Sequence, residues 1–166
     1  MRLNRKRLEE LGDKLRQRGQ RPSMLLGTAK PDLIEATQIV EEYGPMCEAL
    51  YLVMAADRRV LNVEREVTRG ALDVLSDGRV RTVHMEAMLD AAARASGEDG
   101  EAKRLEEVTR QLADDPVRAE ITVLLAAAVA AVDGRVNPDE HRVLKALADG
   151  LGLVEARAAE LLEEIV

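Results

Sequence analysis

The most apolar stretch of the chain, Ile121 to Val132, is hydrophobic all round except at Thr122, as a helix buried on every side would be. At about 12 residues it falls far short of the ~20 needed to cross a bilayer, so it predicts the central core helix of a globular domain. Met46 to Ala56 has nearly the same character. Elsewhere the apolar residues recur at helical spacing: Val63, Val67, Ala71, Leu72 and Leu75; Met85, Met88, Leu89, Ala92 and Ala93; Leu105, Val108 and Leu112; Leu161, Leu162 and Ile165. Clusters of β-branched and aromatic residues that would mark strands are missing. The fold class predicted is all-α: a compact bundle of about seven helices, preceded by one basic N-terminal helix.

Breaks between these stretches carry the usual punctuation. Asp32 is expected to cap a helix running to Glu42 with Leu33, Ala36 and Val40 on one face, and Gly44-Pro45 to end it, so that Pro45 opens the next. Asn62 opens a third helix, which Ser76-Asp77-Gly78 closes. Thr82 is the expected N-cap of the Met-lined helix and Ser96-Gly97 its end. Asp115-Pro116 caps the central helix, Gly150 and Gly152 stop the one after it, and Glu155 to Ile165 closes the chain.

One helix–break–helix pattern occurs twice. Val53 to Glu64 aligns without gaps on Val129 to Glu140, with identities at Val53/Val129, Ala55/Ala131, Asp57/Asp133, Arg59/Arg135, Val60/Val136 and Glu64/Glu140. Two copies are too few for a solenoid and predict one bundle with an internal duplication. In the second copy Gly134 suits a left-handed helix end, Asn137 an N-cap, Pro138 the first helical position and Glu140 the return half of a capping box. The first copy has Arg58 in place of the glycine and Leu61 in place of the cap.

Charge divides the chain. Residues 1–30 carry nine Lys/Arg and three Asp/Glu, or +6, within a net charge of −7, which leaves −13 for residues 31–166. Leu8, Leu11 and Leu15 make an amphipathic stripe among Arg5, Lys6, Arg7, Lys14, Arg16 and Arg18. This basic arm is expected to dock its leucines on the body or on a protein partner, with an anionic membrane as the alternative. Gly19 to Pro31 reads as a linker, in which Met24-Leu25-Leu26 is apolar enough to pack. An acidic body with two tyrosines and no Phe or Trp is unsuited to nucleic acid. The charged N-terminus offers no signal peptide, so a cytoplasmic location is expected.

The sequence offers little for catalysis. Cys47 lies in an apolar helix, and His84 and His141 are the only imidazoles, with Lys145 rather than a ligand one turn after His141. No disulfide can form within the chain. The one candidate site is acidic: Asp133, Asn137, Asp139 and Glu140 can offer oxygens to a hard cation such as Ca²⁺ or Mg²⁺, and Asp57 and Glu64 repeat part of the set. The spacing is not that of an EF-hand, and capping alone accounts for the same residues.

These residues also carry a resemblance. Asp133-Gly-Arg-Val-Asn-Pro-Asp-Glu140, followed by Val143, Leu144, Leu147 and Gly150-Leu-Gly152, is similar to the A-D-G-x-[IV]-x-x-x-E signature of TerB-like tellurite-resistance domains, over about Pro45 to Val166. Asp57 to Glu64 fits the family's internal repeat, with Arg58 departing from the signature. The resemblance implies a non-enzymatic, all-helical interaction module of stress, tellurite or phage-defence systems, often tied to membrane-associated complexes. It also implies cation ligands at Asp57, Glu64, Asp133 and Glu140, the first copy contributing less.

Overall fold

A computed structural model describes residues 3–22, 33–134 and 137–165, with side chains through Glu163. Among these residues are eight helices and no strand: α1 (Arg5–Gly19), α2 (Leu33–Met54), α3 (Asn62–Leu75), α4 (Thr82–Asp99), α5 (Glu101–Leu112), α6 (Pro116–Ala131), α7 (Pro138–Gly150) and α8 (Glu155–Ile165). The all-α expectation holds. The Asp32 cap and the packing of Met24-Leu25-Leu26 lie outside the described residues.

α6 is the axis of the bundle and packs against α1, α2, α3, α5, α7 and α8. Every residue from Thr122 to Val129 is buried, and the Thr122 hydroxyl is satisfied by donating to the Arg118 carbonyl at 2.7 Å. Asp115 caps the helix by accepting from the Arg118 N–H at 3.0 Å. Truncating a core side chain such as Leu124 to Ala would cost ~2–5 kcal/mol.

The break expected at Gly44-Pro45 does not occur. α2 runs straight through Pro45 because the buried stripe of Ile39, Tyr43, Met46, Cys47 and Leu50 is continuous across it. Burying that stripe against α4, α5 and α6 offsets the roughly 3 kcal/mol that a mid-helix proline costs. Arg118 also donates to the Glu42 carbonyl in the turn before the proline, at 2.8 Å. The inward face at the start of α2 is therefore that of Ile39, and Leu33 and Val40 are exposed instead. Two other boundaries shift. α4 begins after Arg81, whose N–H donates to His84 Nδ1 at 3.1 Å, and continues past Gly97 to Asp99, with Gly100 as its cap. Ala93 is exposed on it.

The basic arm is part of the bundle. Leu8, Leu11 and Leu15 are buried, and α1 lies mainly on α3, with further contact to α6 and α8. The α1–α3 crossing is backbone on backbone. A Cβ on Gly70 would sit 1.8 Å from the Leu15 carbonyl oxygen, and one on Gly19 1.8 Å from that of Glu66. Only glycine lets the two helices come this close. The arm's cations meet the body's acids: Arg7 pairs with Glu163 at 3.1 Å, Arg16 with Glu66 at 2.8 Å and Arg18 with Asp73 at 2.5 Å. Among the described residues Lys6 pairs within the arm, with Glu10 at 3.9 Å. No helix among the described residues is long and apolar enough to cross a membrane.

Candidate carboxylate site at the paired turns

The described first parts of the duplicated segments, Val53 to Arg58 and Val129 to Gly134, carry matching backbone bonds. In the first, Ala56 N–H donates to Val53 O at 3.3 Å and Arg58 N–H to Ala55 O at 2.9 Å. In the second, Val132 donates to Val129 at 3.3 Å and Gly134 to Ala131 at 3.1 Å. Arg58 and Gly134 are both left-handed, at φ 65° and 71°. The next helices then start at matching positions, Asn62 and Pro138. Gly134 adopts that conformation freely, whereas Arg58 does so against the clash that disfavours it for residues with a Cβ.

The two helix starts are capped differently. In α7, Asn137 Oδ1 accepts from the Asp139 N–H at 2.9 Å and from that of Glu140 at 3.5 Å. In α3, Leu61 has no group to do this, and the Glu64 carboxylate accepts from the Leu61 N–H at 2.7 Å. Each copy thus keeps one half of the capping box expected in the second. The turns are also joined to each other: Asn137 Nδ2 donates to Asp57 Oδ2 at 2.9 Å, while Asp57 Oδ1 accepts from the Arg59 N–H at 2.8 Å.

That bridge marks one shared locus. Glu64 and Glu140 are both buried, at 2% and 5% exposure. Burial pushes the Glu64 carboxyl up to about 7, helped by the charges of Asp57 and Asp133 and opposed by the Leu61 N–H. Glu140 is pushed up to about 8, first by burial and then by Glu64, Asp133 and Asp57. Four carboxylates from two copies therefore act on one another, and near neutral pH the buried pair holds protons that ordinary glutamates would have lost. Asp139 stands apart, exposed beside Arg142 at 4.0 Å. Among the described residues no three His, Cys, Asp or Glu side chains form a group that could hold a metal ion as they stand.

Other candidate chemistry lies elsewhere. Cys47 is fully buried and its thiol is pushed up to about 12 by burial, so it stays protonated. Arg5 pairs with Glu9 one turn along the arm and donates to the Gly134 carbonyl within the second turn. This contact, and the Asn137–Asp57 bridge, join residues too far apart in sequence for spacing to reveal them. Lys14 is exposed on α1.

The family model described as tellurite resistance protein TerB matches residues 46–162. The chain belongs to the TerB family. The match takes in both turns and all four of these carboxylates, while the arm and the first half of α2 precede it. No curated protein and no solved structure matches the chain.

Proposed function

We propose that this TerB-family protein is a non-enzymatic, stress-response interaction module of the tellurite-resistance type, in which the two acidic turns together take up a single divalent cation, Ca²⁺ or Mg²⁺. The observation that carries the reading is the burial of Glu64 and Glu140 within one field of four carboxylates. The charges that raise Glu140 are the three other acids. A buried acidic group is neutralised by a proton or by a cation, and hard divalent ions prefer carboxylate oxygens. Glu64, Glu140, Asp57 and Asp133 would hold the ion, after side-chain rearrangement that brings their oxygens together. Asn137, already bonded to Asp57, would keep the turns in register. Binding would exchange the protons of the buried pair for the ion, so affinity rises with pH through the range where those protons leave.

The competing reading is a metal-free scaffold whose basic arm docks on an anionic membrane or an acidic protein. It has less support, because the arm's leucines are buried and Arg7, Arg16 and Arg18 pair with the body's own acids. The two readings separate in thermal melts of metal-stripped protein. An ion that binds only the folded state raises the melting temperature. Millimolar Ca²⁺ or Mg²⁺ should do so for wild type and not for Glu140→Gln, which keeps the side-chain shape without the charge. Equal melts with and without either ion would remove the cation role.

A further inference from the structure

The two acidic turns are fastened in different ways. In the first, Asp57 accepts from the Arg59 N–H and from Asn137, and Glu64 accepts from the Leu61 N–H. In the second, Glu140 is 5% exposed, and no hydrogen bond or ion pair reaches its carboxylate from the described residues. The second turn is also held from outside, where the Arg5 guanidinium of α1 donates to the Gly134 carbonyl, one residue past Asp133. A Cβ on Gly12 would lie 3.4 Å from the Ala128 carbonyl oxygen and 3.6 Å from the Val132 side chain, so the arm runs along the end of α6 that leads into this turn. Its other end is fastened to α3, the helix that carries Glu64. Arg16 pairs there with Glu66, and Arg69 donates to the Gly19 carbonyl at 2.6 Å. One helix therefore spans both duplicated units.

We propose that α1 is a strap on the acidic turns whose Arg5 contact opposes cation uptake, so that the ion and the first turn of the arm displace one another. The proposal rests on the cation reading. Two features set its sign. As they stand, the acidic side chains of the described residues form no group able to hold a metal ion, so their oxygens must come together by rearrangement, while Arg5 restrains the second turn at Gly134. A dication taken up by Asp133 would also face the guanidinium on the neighbouring carbonyl, and like charges repel. Release is local: Arg5 is exposed and has its pair with Glu9, at 2.8 Å, to keep when it leaves the turn. The buried leucines and the Gly19–Gly70 crossing hold the rest of the arm without it.

Linkage makes the effect reciprocal, since whatever the ion does to the arm's docking the arm does to the ion's affinity. Titration calorimetry of the metal-stripped full chain with Ca²⁺ and with Mg²⁺ should therefore give about fivefold tighter binding for Arg5→Gln than for wild type, at the low end of such couplings. Lys6→Gln removes the same charge one residue along, at a side chain that pairs with Glu10 within the arm, and should bind as wild type does. In wild type the saturating ion should speed hydrogen exchange of the Leu8 to Glu10 amides, the first of which bonds to the Asn4 carbonyl. Those of Leu15 to Arg18 should be unchanged. Equal or weaker binding by Arg5→Gln, equal tightening by Lys6→Gln, or first-turn amides that the ion leaves unchanged or protects would overturn the strap and leave the cation reading standing. No saturable heat from either wild type or Arg5→Gln would remove the cation reading and the strap with it.

Discussion

The first turn, Asp57 to Glu64, and the second, Asp133 to Glu140, leave one helix and start the next at matching described positions, yet they differ at the glycine, the cap and the proline that should set the geometry. Gly134 is left-handed because glycine allows it; Arg58 is left-handed although arginine does not favour it. Asn137 caps its helix with a side chain, and Leu61 relies on Glu64 reaching back. The comparison teaches that packing of the flanking helices holds the turn, and that the motif only makes it cheaper. Both copies retain the acid at each end, and Glu64, Asp133 and Asp57 all bear electrostatically on Glu140.

The largest difference between the copies should appear one helical stretch later. Gly70 in α3 corresponds to Ala146 in α7, because only α3 carries the arm across its backbone. Gly70→Ala forces a Cβ against the Leu15 carbonyl and should cost ~3 kcal/mol or more, lowering the melting temperature by about 6–12 °C and exposing residues 3–22 to protease. Ala146→Gly should cost only ~1 kcal/mol of helix propensity and leave the arm protected. Equal effects of the two would mean that the arm is not docked as described.

Next in size is a pH effect that belongs to the two copies jointly. Glu64 and Glu140 titrate near about 7 and about 8 in the folded protein, above their ordinary value of 4.5. Between those limits the folded state binds more protons than the unfolded one, so metal-free stability is greatest at the acid end and declines as pH rises toward 9. Thermal melts from pH 5 to 9 should show a fall at least about 5 °C steeper in wild type than in Glu64→Gln/Glu140→Gln. Parallel curves would mean that the carboxyls are not buried together.

The smallest effects sharpen the backbone comparison. A Cβ at Gly134 would meet nothing within 4 Å, so Gly134→Ala tests conformation alone and should cost ~1 kcal/mol, or about 2–4 °C. Arg58→Gly should gain a few tenths of a kcal/mol or be neutral, because relief of the left-handed strain is set against the glycine's greater unfolded entropy. Destabilisation by Arg58→Gly as large as that of Gly134→Ala would show that the arginine side chain holds the first turn.

Much of this was legible in the sequence, for local reasons. The caps at Asp115 and Asn137, the left-handed Gly134 and the all-round burial of α6 from Thr122 to Val129 each follow from a few adjacent residues. The duplication was legible too, since aligned identities register shared geometry. The continuity of α2 was not: Gly44-Pro45 is a sound break signal, overridden by a buried stripe that reaches from Ile39 to Leu50. The arm's docking was anticipated from its leucine stripe, but not the crossing at Gly19 and Gly70, where a glycine inside a helical pattern was the one clue. The merging of two weak acidic motifs into one locus lay beyond spacing altogether. Glu64 of the degenerate copy is buried, as Glu140 is.

That merger is the central claim, and the stoichiometry of cation binding tests it most directly. Titration calorimetry of metal-stripped wild type with Ca²⁺ and with Mg²⁺ should give one ion per chain for the ion that binds. Glu64→Gln and Glu140→Gln should each abolish the heat on their own, since either removes a quarter of one shared site. Two ions per chain, a Glu64→Gln variant that titrates like wild type, or no saturable heat at millimolar concentration would contradict it.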